Sequence, residues 1–304
     1  MKKLLIIGIS FFLISRVFGL DFSLSLEPQF SYHYGNYDEY VFEKNDNDTL
    51  YMLSHLDWDM SFFSVGFTSD LSLGFANKQH LSLIPSLHYG FPQKSGFMQD
   101  YDWQNYDGVL TDYSCHSNLL DFYINAGLAL HYTLSCGIGF SLDWQFQTRK
   151  FIAQGGYKDY PLDESQPNWE YGENERVVEY TPKSHLVGLG VFYTARLLPT
   201  LELRTIATYI PFIHTVAQDY HVWGRTFIDI MTGYVGYRGQ LMLSHLFSEK
   251  ARLSLSLYYE HIPVLKGENL MREEYQSSFY KTSALGGASW KDFSVTLSYR
   301  HEFF

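Results

Sequence analysis

The stretch LDFYINAGLALHY, residues 120–132, decides the fold class. Every second residue of this stretch is apolar, and the apolar set is Leu120, Phe122, Ile124, Ala126, Leu128, Leu130 and Tyr132. A repeat of two residues is the period of an extended strand, because successive side chains of a strand point to opposite faces. The stretch therefore predicts a β-strand with one apolar face and one face that carries polar residues such as Asn125 and His131.

The same alternation returns along the rest of the chain. The further runs are 22–34, 81–91, 201–209, 231–243, 253–259 and 293–303. Runs of this kind are comparable with the roughly 9 to 11 residues with which a tilted strand crosses a bilayer. After Ile14, no segment approaches the roughly 20 apolar residues that a membrane-spanning helix needs. We expect the apolar faces to meet lipid and the opposite faces, rich in Ser, Thr, Gly, Arg, Glu and His, to line a polar lumen.

The segments between these runs alternate in length. The short connections are 77–79, 132–135, 198–200 and 248–250, and the long polar ones are 44–49, 95–118, 156–175, 218–226 and 266–278. Short turns on one side and long loops on the other are typical of outer-membrane barrels. The predicted fold is all-β: a ten-stranded antiparallel transmembrane β-barrel of the bacterial outer membrane with five long extracellular loops.

The first residues predict export from the cytoplasm. Two lysines precede an apolar run at 4–14, and Val17 and Gly19 supply the small-residue pattern that a signal peptidase reads. Residues 1–19 are therefore predicted to be a signal peptide, with a retained N-terminal anchor as the alternative. No linker or shift in composition divides 20–304, which we expect to form a single barrel domain.

The formal net charge of −11 limits the partners. Binding to nucleic acid draws its affinity from Lys and Arg on phosphates, so this acidic balance argues against it. An anionic surface attracts basic partners instead.

Two cysteines, Cys115 and Cys136, would be an obvious disulfide pair in an exported protein. The strand assignment places Cys115 in an outer loop and Cys136 near an inner turn, whereas a disulfide needs Cα atoms within about 7 Å. We therefore predict two free thiols, and a disulfide is the alternative.

Two short polar motifs could carry chemistry. Asp100 and Asp102 stand two residues apart, on the same side of an extended chain, and like charges so close raise at least one pKa. Asp219 stands two residues before His221, where a carboxylate can orient an imidazole and stabilise its charged form. Taken singly, each motif is also common as a solvated surface pair.

Together with their surroundings, these motifs resemble the omptin family of outer-membrane proteases. The matching segments, in chain order, are LDW at 56–58, MQDYDW at 98–103, TDYSCH at 111–116, NERVVEY at 174–180 and DYH at 219–221. The likeness spans essentially the whole chain, including the signal peptide and the ten strands.

The resemblance implies a cleft at the outer rim of the barrel, open to the extracellular side. Asp100 and Asp102 would face Asp219 and His221 across a nucleophilic water, and His221 would take the proton of that water. No metal or organic cofactor is required, and no pair of histidines has zinc-binding spacing. Ser114 as a nucleophile is an alternative, against a role in bracing the loop together with Asp112 and His116.

The resemblance also implies how ligands bind. Polypeptides would be the substrates of a monomeric barrel, with Glu39 and Met98 in contact with them and a preference for basic residues. The family's second acidic position in this contact falls on Ala217, which should weaken that preference unless Asp38 or another loop acid compensates. Lipopolysaccharide is the expected activating lipid, and the basic residues near the relevant heights are Arg149, Lys150 and Lys183.

Two further functions compete with proteolysis. An inert barrel used for adhesion or invasion would share the fold, but it has no physical need for carboxylates held close together. A small channel would also share the fold. About ten strands leave only a narrow lumen, which argues against a wide pore.

Overall fold

The computed structural model of the chain describes residues 21–45, 48–75, 79–103, 108–161 and 168–303. The predicted signal peptide at 1–19 and the terminal Phe304 lie outside these described residues. The strands are β1 (Asp21–Lys44), β2 (Leu50–Phe75), β3 (Gln79–Gly90), β4 (Gln93–Asp102), β5 (Asp112–Thr133), β6 (Ile138–Asp159), β7 (Trp169–Leu198), β8 (Leu201–His221), β9 (Arg225–Gly233), β10 (Tyr237–Leu246), β11 (Ala251–Glu273) and β12 (Tyr280–Glu302). Among the described residues, no helix is long and apolar enough to cross a membrane.

The strands form a closed antiparallel ring with ten positions. The strands follow one another around the ring in chain order, except that β3 does not pair with β4 nor β9 with β10, and β1 pairs with both β2 and β12, which closes the ring. Two positions are shared by two short strands: β3 and β4 both lie between β2 and β5, and β9 and β10 both lie between β8 and β11. Among the described strands, closure thus leaves none that lacks a partner on one side. The predicted all-β class is confirmed.

The outer surface of the ring carries a belt of apolar side chains on the half nearer the short turns. Members of this apolar belt include Phe30, Tyr34, Val65, Phe67, Leu128, Leu130, Leu142, Leu189, Leu243, Leu255, Tyr259, Phe293 and Leu297. Serine, histidine and aspartate side chains on the opposite faces of the same strands are buried inside the ring. Toward the long loops the belt ends at Tyr34, Phe293 and Tyr259, which lie side by side in register.

Beyond the belt the strands continue much farther than predicted. Within the predicted outer loops at 95–118, 156–175, 218–226 and 266–278, the strands run on into the rim: β4 ends at Asp102 and β5 begins at Asp112, β6 ends at Asp159 and β7 begins at Trp169, β8 ends at His221 and β9 begins at Arg225, and β11 ends at Glu273 and β12 begins at Tyr280. Asp100 and Asp102 therefore lie in β4, and Asp219 and His221 end β8, rather than lying in loops. Polar residues can pair as strands there because a closed ring still satisfies their backbone hydrogen bonds.

The stretch at 120–132 is a strand, as predicted, with one local departure. A β-bulge between Leu120 and Phe122 in the pairing of β5 with β6 reverses the side-chain alternation. Leu120 consequently points into the ring and is fully buried, whereas it was predicted to share the outer face of Phe122.

The two cysteines are free thiols, as predicted. Cys115 is paired within β5 rather than lying in a loop, which corrects its predicted place, and Cys136 is exposed in the turn at the other end of that strand.

A layer of buried aromatic rings crosses the interior of the ring above the belt. This aromatic floor consists of Tyr37, Trp58, Phe151, Tyr180 and Trp290, each at most 1% exposed. Trp58 stacks on Tyr180 with ring centroids 5.8 Å apart, and Tyr37 stacks on Trp290 at 5.2 Å. Below the floor lies a polar cavity of about 270 Å³. The floor thus separates this cavity from the space at the rim.

Candidate active site

Asp219 and His221 form a hydrogen-bonded pair at the end of β8. His221 Nε2 donates to Asp219 Oδ2 over 2.6 Å, because residues two apart on a strand share one face. Asp219 is buried, whereas the His221 side chain is 31% exposed and reaches the open space at the rim. Burial by itself lowers the pKa of His221, but the charge and hydrogen bond of Asp219, together with Asp100 and Asp102, raise the pKa above its ordinary value.

Asp100 and Asp102 lie on β4, between β2 and β5. Burial and the neighbouring charge of Asp102 raise the pKa of Asp100 to about 8, against the lowering effects of His221, Lys158 and a hydrogen bond from Ser54. The pKa of Asp102 is also raised, because burial outweighs Ser54 and Lys158. Near neutral pH the two carboxyl groups therefore hold a proton between them.

The two pairs come from strands that are not neighbours in the ring, yet they act on each other. Asp100 and Asp102 are among the charges that raise the pKa of His221, and His221 is among those that lower the pKa of Asp100. The two pairs therefore lie near each other at the same end of the ring, as the family resemblance implies.

Two residues near the acid pair were missed in the sequence. Ser54 Oγ donates to Asp100 Oδ1 over 3.3 Å from the neighbouring strand β2. Lys158 Nζ, on β6, lies 3.8 Å from Asp112 Oδ2 and lowers the pKa of both Asp100 and Asp102. Neither residue belongs to a motif, and only the register of the strands brings them to the site.

Glu39 and Met98, the predicted substrate contacts, both line the inside of the ring. Glu39 is 2% exposed, and its pKa is raised well above its ordinary value, first by burial and then by Asp219, Asp229 and Asp100. Met98 is completely buried in the hydrophobic core, two residues below Asp100 on the same face of β4.

Ser114 and His116 are held inside the wall of the ring. His116 Nδ1 donates to the carbonyl oxygen of Gly155, and His116 Nε2 lies 2.9 Å from Ser114 Oγ. The exposed fraction is 5% for Ser114 and 1% for His116, and burial lowers the pKa of His116. These contacts tie β5 to β6 and favour the bracing role over a nucleophilic Ser114.

Comparison with known proteins settles the family. The model of the omptin family matches residues 22–303, nearly the whole described chain. The chain belongs to the omptin family. The resemblance to this family of outer-membrane proteases, predicted from the motifs, is confirmed.

A solved structure shows the fold of this omptin. The outer-membrane protease OmpT from Escherichia coli is 17% identical, with a TM-score of 0.80 and coverage of 92% of this chain and 97% of OmpT. The fold is thus that of an OmpT-like outer-membrane β-barrel. The β-domain of the Bordetella autotransporter BrkA is 11% identical, covers 93% of this chain and all of its own (100%), and has a TM-score of only 0.38, which carries no argument. A sequence search of curated proteins gives no match.

The basic residues considered for lipopolysaccharide divide between the two faces of the omptin ring. Arg149 is 2% exposed and points inward, where it lies over the rings of Tyr37 and Tyr123, so it cannot contact lipid on the outer wall. Alternation along β6 places Lys150 on the outer face instead, where Nζ lies 2.7 Å from Glu179 Oε2. Lys183 is exposed on the adjacent strand β7.

Within the described ranges, no group of three or more His, Cys, Asp or Glu side chains is arranged to hold a metal ion.

Proposed function

We propose that this omptin is an endopeptidase that hydrolyses extracellular polypeptides with an activated water as the nucleophile. The observation that carries the proposal is the hydrogen bond of 2.6 Å that ties His221 to the buried Asp219 at the end of β8, with the acid pair Asp100 and Asp102 on β4 close enough to influence it. An acid pair that shares a proton and a histidine oriented by a carboxylate are together sufficient for general acid–base catalysis.

The hydrogen-bond geometry supports one order of proton transfers. His221 Nε2 is engaged by Asp219, so Nδ1 is the nitrogen that accepts a proton from water. The water oxygen bonds to the scissile carbonyl carbon, and His221 later passes that proton to the leaving amine as the C–N bond breaks. The protonated Asp100–Asp102 pair positions the water and donates a hydrogen bond to the oxyanion as it forms.

The proposed placement puts the apolar belt in the outer membrane and the rim outside the cell. Exposed apolar side chains on a closed ring are stable against lipid, where an unpaired strand edge would cost several kcal/mol per unsatisfied backbone group. The catalytic pairs lie beyond the end of the belt, where they meet extracellular polypeptides. We further propose that a single chain forms the active barrel and that lipopolysaccharide on the outer wall near Lys150 and Lys183 supports its activity.

The rival functions receive less support. The aromatic floor closes the interior of the ring, which opposes a channel. An inert adhesin would gain nothing from Asp100, whose burial beside Asp102 is unfavourable whenever both are ionised.

Cleavage of a quenched fluorescent peptide library by the refolded protein with added lipopolysaccharide tests the proposal. The variants Asp100→Ala and His221→Ala should each lose roughly a hundredfold or more in rate. Matched controls are Glu249→Ala and His80→Ala, two exposed residues near the opposite end of the ring, which should keep the full rate. Failure of the folded wild type to cut any peptide with lipid present would refute proteolysis and leave the adhesin.

A further inference from the structure

Three aromatic side chains that belong to no motif of the site lie together at the rim. Trp169 and Tyr171 stand two residues apart on one face at the start of β7, and Trp223 lies in the turn between β8 and β9. The rings of Tyr171 and Trp223 stack at 19° with centroids 6.1 Å apart, and the ring of Trp169 stands at 64° to that of Tyr171. We call this group of three rings the aromatic corner.

A bulge in β7 sets the position of Tyr171. In the pairing with β6, Tyr171 is opposite Gly156 and Arg176 is opposite Gln154, so residues 172–175 bulge out of the strand. The Tyr171 side chain is only 8% exposed and meets the ring of His116 edge-on, with centroids 5.1 Å apart. Tyr171 is therefore the buried base of the corner.

The turn that carries Trp223 is tied to the strands on both sides. The backbone N–H of Val222 donates to the carbonyl oxygen of Val177 on β7 over 3.1 Å, and that of Glu274 donates to the carbonyl oxygen of Gly224 over 2.7 Å. Trp223 is nevertheless 66% exposed. Its ring is thus held in place before any ligand arrives, which lowers the entropy that binding must overcome.

The corner lies next to the acid pair. Trp169 pairs in register with Lys158, so the two side chains share one face of the sheet. Lys158 acts on the charges of both Asp100 and Asp102, and Asp100 is in turn among the charges that act on Tyr171. The face that carries the corner is therefore the face that carries the acid pair.

The exposed part of the corner has a polar surround. Trp223 is 66% and Trp169 is 58% exposed, and the exposed acids Glu170, Glu173 and Glu274 lie beside them in the chain or across the turn. Large apolar side chains left in water are unfavourable, and an apolar patch with a polar rim is typical of a binding surface. The position beside the catalytic pairs points to a polypeptide substrate as the occupant.

We propose that the aromatic corner binds a large apolar side chain of the substrate, an aromatic one best, about two residues after the scissile bond. This inference rests on the proposed proteolysis. There His221 passes a proton to the leaving amine, so the chain on the amine side begins at His221, and Trp223 follows His221 by two residues. An extended substrate advances about 3.3 Å per residue and covers a similar distance in two residues.

The geometry of the rings favours an aromatic occupant. Aromatic pairs prefer offset stacking or an edge-to-face arrangement, and the corner offers rings in two orientations at 64° to each other. A ring of the substrate can stack on one of them and meet the other edge-on. A long aliphatic side chain gains the burial of apolar area alone.

The test compares quenched peptides that are identical except at the second residue after the scissile bond. The wild type, with lipopolysaccharide added, should cleave the tryptophan peptide about tenfold or more better than the alanine peptide in kcat/KM, since a large apolar side chain leaves water on binding. Trp223→Ala should remove most of this preference. Trp144→Ala, an exposed tryptophan of the apolar belt, is the matched control that should keep it.

Two further variants distinguish the corner from a general disturbance of the rim. Trp223→Phe retains a ring that can stack on Tyr171 and should keep most of the preference, whereas Trp169→Ala should reduce it. Equal cleavage of the tryptophan and alanine peptides by the wild type, or an unchanged preference in folded Trp223→Ala, would overturn the corner and leave proteolysis standing. So would a stronger preference for arginine than for tryptophan at this position, which would show that the rings hold a cation.

Binding separates the remaining cases. If the wild type cuts none of the peptides, calorimetric binding of the tryptophan peptide to the wild type but not to Trp223→Ala would keep the corner while proteolysis fails. Absence of such binding would overturn both.

Discussion

At the scale of single residues, the site depends on charges that oppose one another. Burial and Asp102 raise the pKa of Asp100, and Lys158 and His221 restrain the rise. This balance sets the pH range in which the acid pair keeps its shared proton. Lys158 therefore lowers the pKa of the acid pair without itself taking part in the proton transfers.

Replacing Lys158 with Met tests this role. Loss of the positive charge should raise the pKa of Asp100 beyond about 8, so the pair stays protonated to higher pH. If activity requires the shared proton, the alkaline limb of the kcat/KM profile moves upward, and Lys158→Arg leaves it in place. A profile that is identical in wild type and Lys158→Met would show that the alkaline limb belongs to another group.

Asp219 influences the acidic limb of the pH profile of activity through the pKa of His221. Its charge and hydrogen bond raise the pKa of His221, so the neutral base is lost as the pH falls through that raised value. Asp219→Asn should lower this pKa, shift the acidic limb to lower pH and reduce kcat by about 10²- to 10⁴-fold, because the imidazolium loses its stabilising partner. Residual rates measured from pH 5 to 8 give the shift, and an unmoved limb would contradict the assignment of His221 as the base.

At the scale of elements, the aromatic floor gives the site a rigid base. Trp58 is fully buried, pairs in register with Met98 on β4 and stacks on Phe151 with ring centroids 5.6 Å apart. The strand that carries Asp100 therefore rests directly on this layer. The floor contributes to the geometry of the site as well as to stability.

Trp58→Ala should show both effects. Truncation of a large buried aromatic residue typically costs about 3–5 kcal/mol, and the cavity it leaves should loosen β4 and lower kcat. Trp144→Ala is the matched control, since Trp144 is 42% exposed on the apolar belt. Urea unfolding in micelles measures the loss of stability, and peptide cleavage measures the loss of kcat. Equal losses in Trp58→Ala and Trp144→Ala would show that the aromatic floor does not support the geometry of the site.

These elements were predictable only where lipid imposes a pattern. Along β5, apolar side chains face outward from Phe122 to Leu130, so the alternation in the sequence predicted this strand. The four catalytic candidates were predicted from the motifs that resemble those of the family. At the rim both faces of a strand meet polar surroundings, so the same strands looked like loops. The bulge at Leu120 and the register that brings Ser54 and Asp229 to the site depend on pairing between distant strands, which no local spacing reveals.

At the scale of the whole molecule, the rim concentrates negative charge in a place from which water is largely excluded. Four of its acids, Glu39, Asp100, Asp102 and Asp229, have raised pKa values in the folded state. The folded chain therefore binds more protons than the unfolded chain between the ordinary carboxyl pKa of about 4 and the raised values. Their favourable contribution is complete below about pH 4 and is lost as the pH rises through about 7 to 8.

The free energy of unfolding of the wild-type barrel should consequently fall between pH 5 and pH 8. The free energy of unfolding of the Asp229→Asn variant should fall less over the same range. An asparagine stays neutral beside Glu39, so the variant gains little at pH 5 but gains at pH 8, where the wild type carries the charge of Asp229. Each kcal/mol corresponds to a shift of about 2–4 °C in Tm for a domain of roughly this size. Thermal unfolding in detergent micelles at the two pH values measures the difference. A gain that is equal at both pH values would mean that Asp229 is already ionised at pH 5.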